Sequence, residues 1–303
     1  MSATQWQLRY GTAAQVNVRT PAPRELWALT DWDNLLVIGD GSEVGGIPVN
    51  RLPRGALHGM EMAIAADTAH DITFSPGQAR SANDGGDLRS TAAVTKQIDA
   101  PWAEGSAAGG FPSALTLSAD TWYHAFAIGK TRNGTGGVDF GFDTSLTASN
   151  LLADATGYSY YRRLGSILTN ATADLVQFTQ YGDRFEFKNV VVDDVDTTIG
   201  TTPGNHTLTV PPGITGLRAL FNVSLQKASA NPFAFIYSPD RSDTTLDRTN
   251  GAANLQAPTG GYAVPSMEVV VNTSGQIRAV ASESSVNLAI GTWGWIDPRG
   301  RNG

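Results

Sequence analysis

The most constraining feature of this chain is a two-residue alternation of apolar side chains, repeated in short runs and cut by turn residues. Trp122, His124, Phe126 and Ile128 fall on one side of an extended segment, and Tyr123, Ala125 and Ala127 on the other. Val138, Phe140 and Phe142 share a face, opposite Asp139, Gly141 and Asp143. Runs of strand character also cover 175–178, 184–192, 207–210, 216–226, 233–237, 267–271, 276–282 and 286–295. Turn chemistry separates them: Asn133-Gly134, Pro211-Pro212-Gly213, Ser238-Pro239-Asp240 and Ser274-Gly275. No segment holds a 3.6-residue apolar period over four turns, and residues 148–155 form the best helix candidate, a short one. The 33 glycines and 15 prolines suit many turns between short strands. The expected fold is all-β, an antiparallel β-sandwich of jelly-roll type with a small N-terminal β-hairpin unit. No fixed-period repeat runs through the chain, which disfavours solenoids and propellers.

The N-terminal part reads as a separate anchoring or oligomerisation segment, residues 1–55, ahead of a sandwich over 56–303. It has a Pro-rich joint at Pro21-Ala22-Pro23, a strand at 26–29, a turn at 30–34 and a returning strand at 35–38. A two-stranded hairpin buries too little to stand alone, so it needs a partner: another copy, or a surface of a larger particle. Trp6, Trp27 and Trp32 are its candidate docking residues. A looser region, 78–113, reads as long loops.

Charge and composition narrow the partners. The net charge is −7 with a pI near 5.0, and only 16% of residues are charged. No basic stripe with interleaved aromatics exists, so nucleic acid is not an expected partner. No stretch of about 20 apolar residues is present, so no helical membrane insertion is expected. The first residues lack the apolar core of a signal peptide, which suits synthesis and retention in a cytoplasm. Cysteine is absent, which excludes disulfides, thiolate metal sites and a cysteine nucleophile.

Catalytic signals are weak, and no catalytic residue, metal ligand or cofactor is assigned. His58, His70, His124 and His206 show no metal-ligand spacing, and no hydrolase elbow or phosphate loop occurs. His124 alternates with Trp122 and Phe126, which favours packing. Asp193, Asp194 and Asp196 read as a solvated turn between strands, and Asp139 and Asp143 as the polar side of a strand. Such carboxylates could also hold calcium, although the spacing is not that of a calcium loop. Tyr158, Tyr160 and Tyr161, followed by Arg162 and Arg163, are the candidate carbohydrate-binding set. Tyrosine faces stack on sugar rings, and arginine grips acidic groups in a bidentate way. Tyr158 and Tyr160 alternate in register with Arg162, and core or sheet-face packing is the favoured reading of the set. Trp293 and Trp295 alternate in the last strand and read as core.

Several of these segments carry a family resemblance. LTDWDNLLVIGDG at 29–41, followed by GGIP at 45–48 and preceded by GTAAQ at 11–15, resembles the N-terminal unit of phage tail-fibre and tropism-determinant proteins. Trp32 departs from it, standing where a small polar residue is usual. TKQIDAPWAEG at 95–105, DTWYHAFAI at 120–128, DFGFDTS at 139–145, YYRRLGS at 160–166 and GWIDPRGR at 294–301 resemble runs in phage tail and spike proteins. The segments from 95 to 301 lie within roughly two-thirds of the chain. The resemblance implies a non-enzymatic virion protein on a phage tail or head, or on a gene transfer agent. It implies attachment to other virion proteins through the N-terminal unit, assembly as a homo-oligomer, trimer favoured, and release by lysis. Host-surface polysaccharide is the expected ligand. The alternatives are a purely architectural head-decoration or tail protein, and a capsule depolymerase.

Overall fold

The computed structural model describes residues 8–31, 35–49, 51–243, 245–249 and 251–301. The chain is all-β, built of several mostly antiparallel sheets and two short helices, in agreement with the expected sandwich class. It divides into two compact units. The first runs to Val176 and is rejoined by the segment from Arg299, while the second is Gln177–Pro298. The boundary expected near residue 55 falls inside the first unit.

Within the first unit, two sheets face each other. One holds Met62–Ile64, Asp71–Phe74, Val94–Pro101 and Ala108–Phe111. The other holds Val138–Asp143, Trp122–Gly129 and Tyr160–Leu168. Phe74 stacks on Phe140 with ring centres 4.5 Å apart, and Phe111 meets Tyr123 edge-on at 5.3 Å. These aromatics supply the inter-sheet contact through burial and ring geometry. A small sheet of Leu57–Gly59, Gly77–Arg80 and Asp87–Ser90 completes this part. The expected loops of 78–113 are thus largely strands. Their Gly-Gly pairs hide the alternation, and Gly109 is one a side chain could not replace: a Cβ there would lie 2.0 Å from the Pro101 carbonyl oxygen.

The second face of the Trp122–Gly129 sheet is also covered. Phe126 and Ile128 pack with Leu151 of the helix Ser149–Asp154 and with Tyr158. Gly141 allows the helix close approach, since a Cβ there would stand 2.6 Å from Leu151 Cδ1. Asp139 and Asp143 are therefore buried, not solvated. Alternation marked their face correctly, but that face meets a second layer instead of water.

The expected N-terminal hairpin is wider than the sequence reading had it. Leu26–Leu29 and Leu35–Ile38 pair antiparallel, Leu8–Gly11 adds in parallel, and Ile47–Pro48 closes the other side. Val16, Trp27, Leu29 and Val37 form its own small core. Asn133 then ties this sheet to the rest of the unit. Its Nδ2 donates to Asn17 Oδ1 and to the Gly45 carbonyl, both at 2.8 Å. The partner that a lone hairpin would need is supplied, within this chain, by two extra strands and the 131–135 turn.

The second unit has two sheets. The larger runs Phe178–Tyr181, Arg184–Ile199, Val286–Ile296 and Arg218–Gln226, with Tyr262–Ala263 and Ser266–Val270 both pairing to the outer side of Arg218–Gln226. The smaller runs Gly204–Thr207, Gln276–Ala281, Phe233–Tyr237 and Leu255–Gln256. Trp295 is buried and stacks on Phe185 at 5.1 Å, as its alternation implied, whereas Trp293 is partly exposed beneath the Arg184 guanidinium. Asp193, Asp194 and Asp196 do not form a turn between strands. They lie inside Arg184–Ile199, a strand whose register against Val286–Ile296 shifts three times. The extra residues of such bulges re-aim side chains. Asp193 accepts from Thr209 and Thr292, and Asp194 meets His206 at 2.7 Å.

Candidate functional site

The second unit opens into a cleft of about 420 Å³. Strand alternation and turn chemistry build it. Phe233–Tyr237 contributes Phe235 and Tyr237, two positions apart and hence on one face, with rings stacked at 4.9 Å. Ser238-Pro239-Asp240 turns the chain sharply, and the Arg241 amide closes the turn onto the Ser238 carbonyl at 3.0 Å. Arg241 is thereby held, exposed, beside the aromatic pair. The opposite wall comes from the larger sheet, with Arg218, Ser266, Met267 and Glu268.

The walls are fixed by hydrogen bonds. Asn254 clamps the Ile236 backbone, accepting from its N–H at 3.0 Å and donating to its carbonyl at 2.7 Å. The Tyr237 hydroxyl donates to Asp243 Oδ1 at 2.8 Å, and Asp243 also pairs with Arg278 at 3.1 Å. Burial, aided by the Asp243 carboxylate, pushes the Tyr237 phenol up to about 12, so it stays a neutral donor. Arg218 and Glu268 pair at 2.9 Å with both side chains well exposed, a contact of small energetic weight that a ligand can replace. The cleft thus offers an aromatic wall, two guanidinium groups and fixed hydroxyl and amide groups. That mix suits a hydroxyl-rich ligand with acidic substituents.

No family model and no curated protein matches this chain. Among solved structures, the Major Tropism Determinant U1 variant matches 63% of this chain and 46% of its own, with 21% identity and a TM-score of 0.27. The Major Tropism Determinant P3c variant matches 63% and 47%, with 21% identity and a TM-score of 0.26. The chain therefore covers less than half the length of either. The likeness is coarse and assigns neither ligand nor partner.

The sequence-derived sites lie elsewhere. Tyr158, Arg162 and Arg163 are buried in the first unit. Tyr158 packs edge-on against Trp102 at 5.4 Å, beneath the Lys130 ammonium. Arg162 donates to the backbone carbonyls of Arg80 and Gly55, and Arg163 to Ser166 Oγ. Tyr160 and Tyr161 remain partly exposed, Tyr160 against Gly85 and Gly86, Tyr161 edge-on to Phe126. The five residues are neighbours, but burial gives three of them packing roles. His124 is also a packed residue, its Nδ1 2.9 Å from Ser166 Oγ. Trp27 is buried in the N-terminal core, with Arg9 over its ring, and Trp6 and Trp32 lie outside the described residues.

Among the described residues, no group of three or more histidines or carboxylates converges to hold a metal ion, and no helix is long and apolar enough to cross a membrane. The cleft was missed by sequence reading because its residues come from separated strands. The available signal was the alternating Phe235 and Tyr237 running into a Ser-Pro-Asp turn.

Proposed function

We propose that this chain is a non-enzymatic attachment protein of a phage-type particle, and that it binds acidic host-surface polysaccharide through the cleft of its second unit. The supporting observation is the composition of that cleft. An aromatic pair and two arginines line it, with Glu268 as the sole carboxylate among the described lining residues. Glycoside hydrolysis ordinarily needs two carboxyl groups facing one bond, so this wall is suited to holding a saccharide and not to cleaving it. A single shallow contact of this kind is weak. Repetition over the copies of a homo-oligomer, a trimer on this reading, and over the particle raises it by effective concentration. The N-terminal sheet docks to other virion proteins on this reading.

The test is binding of the purified protein to an array of capsular and outer-membrane polysaccharides, alongside Phe235→Ala and Arg241→Ala. Both residues lie at the surface of the cleft, so both variants should keep the wild-type circular dichroism. Phe235→Ala should lose about 0.5–1.5 kcal/mol of binding, a factor of roughly 2–10 per site. Arg241→Ala should lose affinity for acidic glycans more than for neutral ones. Wild-type binding by both variants would overturn the assignment of the cleft. Undiminished adsorption of particles lacking the protein would overturn the attachment role itself.

A further inference from the structure

Lys96 is fully buried, and so is the Asp139 side chain it faces, at 0% and 3% exposure. The two sit on strands of different sheets, Val94–Pro101 and Val138–Asp143. An ion pair withdrawn from water to this degree is costly unless its geometry is tight. Here it is not tight. Lys96 Nζ stands 3.4 Å from Asp139 Oδ1 and 3.4 Å from Oδ2, well beyond the roughly 2.7–2.9 Å of a charge-assisted hydrogen bond. Equal distances place the nitrogen on the bisecting plane of the carboxyl group, facing both oxygens.

The surroundings fit an acyl transfer. Gly105 N–H donates to Asp139 Oδ2 at 2.8 Å, and Phe140 N–H donates to Oδ1 at 2.7 Å. Each carboxyl oxygen thus has one fixed backbone donor, so whichever oxygen is retained keeps a donor for the charge that develops on it. The Ala103 and Gly105 carbonyls accept from Lys96 Nζ at 2.5 and 3.1 Å and hold it in place. The Trp102 ring covers the nitrogen at 5.4 Å, and the ring is pinned by its own N–H to the Phe140 carbonyl at 3.1 Å. Burial lowers the Lys96 ammonium and raises the Asp139 carboxyl, both in the direction of the neutral amine and acid that a condensation uses.

We propose that Lys96 and Asp139 condense to an intramolecular amide that covalently joins the two sheets of the first unit. Lys96 Nζ attacks the Asp139 carboxyl carbon and forms the C–N bond. The negative charge that develops on the retained oxygen is held by that oxygen's own backbone donor, Phe140 N–H on Oδ1 or Gly105 N–H on Oδ2. The carbon–hydroxyl bond then breaks, and the hydroxyl leaves as water with a proton from Nζ. One amine and one acid give one amide and one water, with no oxidant, reductant or cofactor. The link closes a loop between residues 43 positions apart, in a chain that has no cysteine for a disulfide. It constrains the unfolded chain as a disulfide would, and reductants cannot open it.

The decisive measurement is the intact mass of the wild-type protein under denaturing conditions, followed by peptide sequencing. The expected mass is one water below the sum of the residues, with a branched peptide in which Lys96 carries the Asp139 segment. Lys96→Met should restore the missing water, and Asp139→Asn should lose ammonia in place of water. A wild-type mass equal to the full sum overturns the proposal. So does a missing water that persists in Lys96→Met, which would trace it to cyclisation at an Asp-Gly pair such as Asp40-Gly41. Both readings are made on unfolded chains, so a variant that folds poorly still decides the matter.

Discussion

Asp143 shows how much one buried carboxylate can organise. It is fully buried and accepts from the amides of Ser145, Asn150 and Leu151 and from Asn150 Nδ2, all at 2.8–2.9 Å. The helix Ser149–Asp154 starts after Ala148, whose left-handed backbone brings no side-chain cap, so Asp143 caps it from a neighbouring strand. Asp143→Ala would leave several buried N–H groups without acceptors, each at about 1–3 kcal/mol. Urea denaturation should show a loss of at least about 3 kcal/mol, with Asp143→Asn losing less. A loss under 1 kcal/mol would mean that water replaces the carboxylate. The sequence showed Asp139 and Asp143 on one face and the aromatics on the other, but not that both faces were covered. Alternation separates two faces, and only the packing of a second layer decides which face stays dry. The same gap hid the burial of Tyr158, Arg162 and Arg163: their residue types suit a sugar, yet three layers of this unit meet around them.

At the scale of elements, period and punctuation carried most of the fold. The strands Trp122–Gly129 and Val138–Asp143, the hairpin Leu26–Leu29 with Leu35–Ile38, and the helix within 148–155 all followed from apolar spacing and turn residues. What failed did so for identifiable reasons. Gly-rich strands such as Ala108–Phe111 lack the side chains that reveal a period. The aspartates of 193–196 carry a turn composition but sit in bulges of a long strand, where Thr209, Thr292 and His206 satisfy them. The N-terminal sheet offers a prediction at this scale. Asn133 is fully buried and bonds to Asn17 and to Gly45, and its Oδ1 accepts from Thr131 and Thr135. Asn133→Ala should speed hydrogen exchange across 26–38 by tenfold or more, equivalent to about 1.4 kcal/mol, while the strands of the second unit exchange as before. Exchange rising equally in both units would show that the contact supports the whole chain and not the N-terminal sheet.

At the scale of the whole molecule, stability carries a pH signature. Burial raises the Asp193 carboxyl despite hydrogen bonds from Thr209 and Thr292. The native state therefore holds this proton at pH values where the unfolded chain has released it. Stability from this group is greatest below the ordinary aspartate range and falls as pH rises towards the raised native value. Asp193→Asn keeps the shape and cannot ionise. Its melting temperature should exceed that of the wild type at about pH 7.5, and the advantage should shrink towards about pH 4. An advantage that stays constant across this range would remove ionisation as its cause.

The order of the chain adds a constraint in time. The first unit is not finished by its own continuous stretch of sequence. Arg299 donates to the carbonyls of Leu164 and Met60, and Arg301 donates to that of Leu57. A ribosome delivers these arginines only after every residue of the second unit. At elongation rates of about 5–20 residues per second the first unit waits on the order of ten seconds for its last pieces. A chain that stops within the second unit lacks Arg299 and Arg301, and the Leu57, Met60 and Leu164 carbonyls lose these donors. Only a chain that has grown past its second unit carries the residues that complete the first.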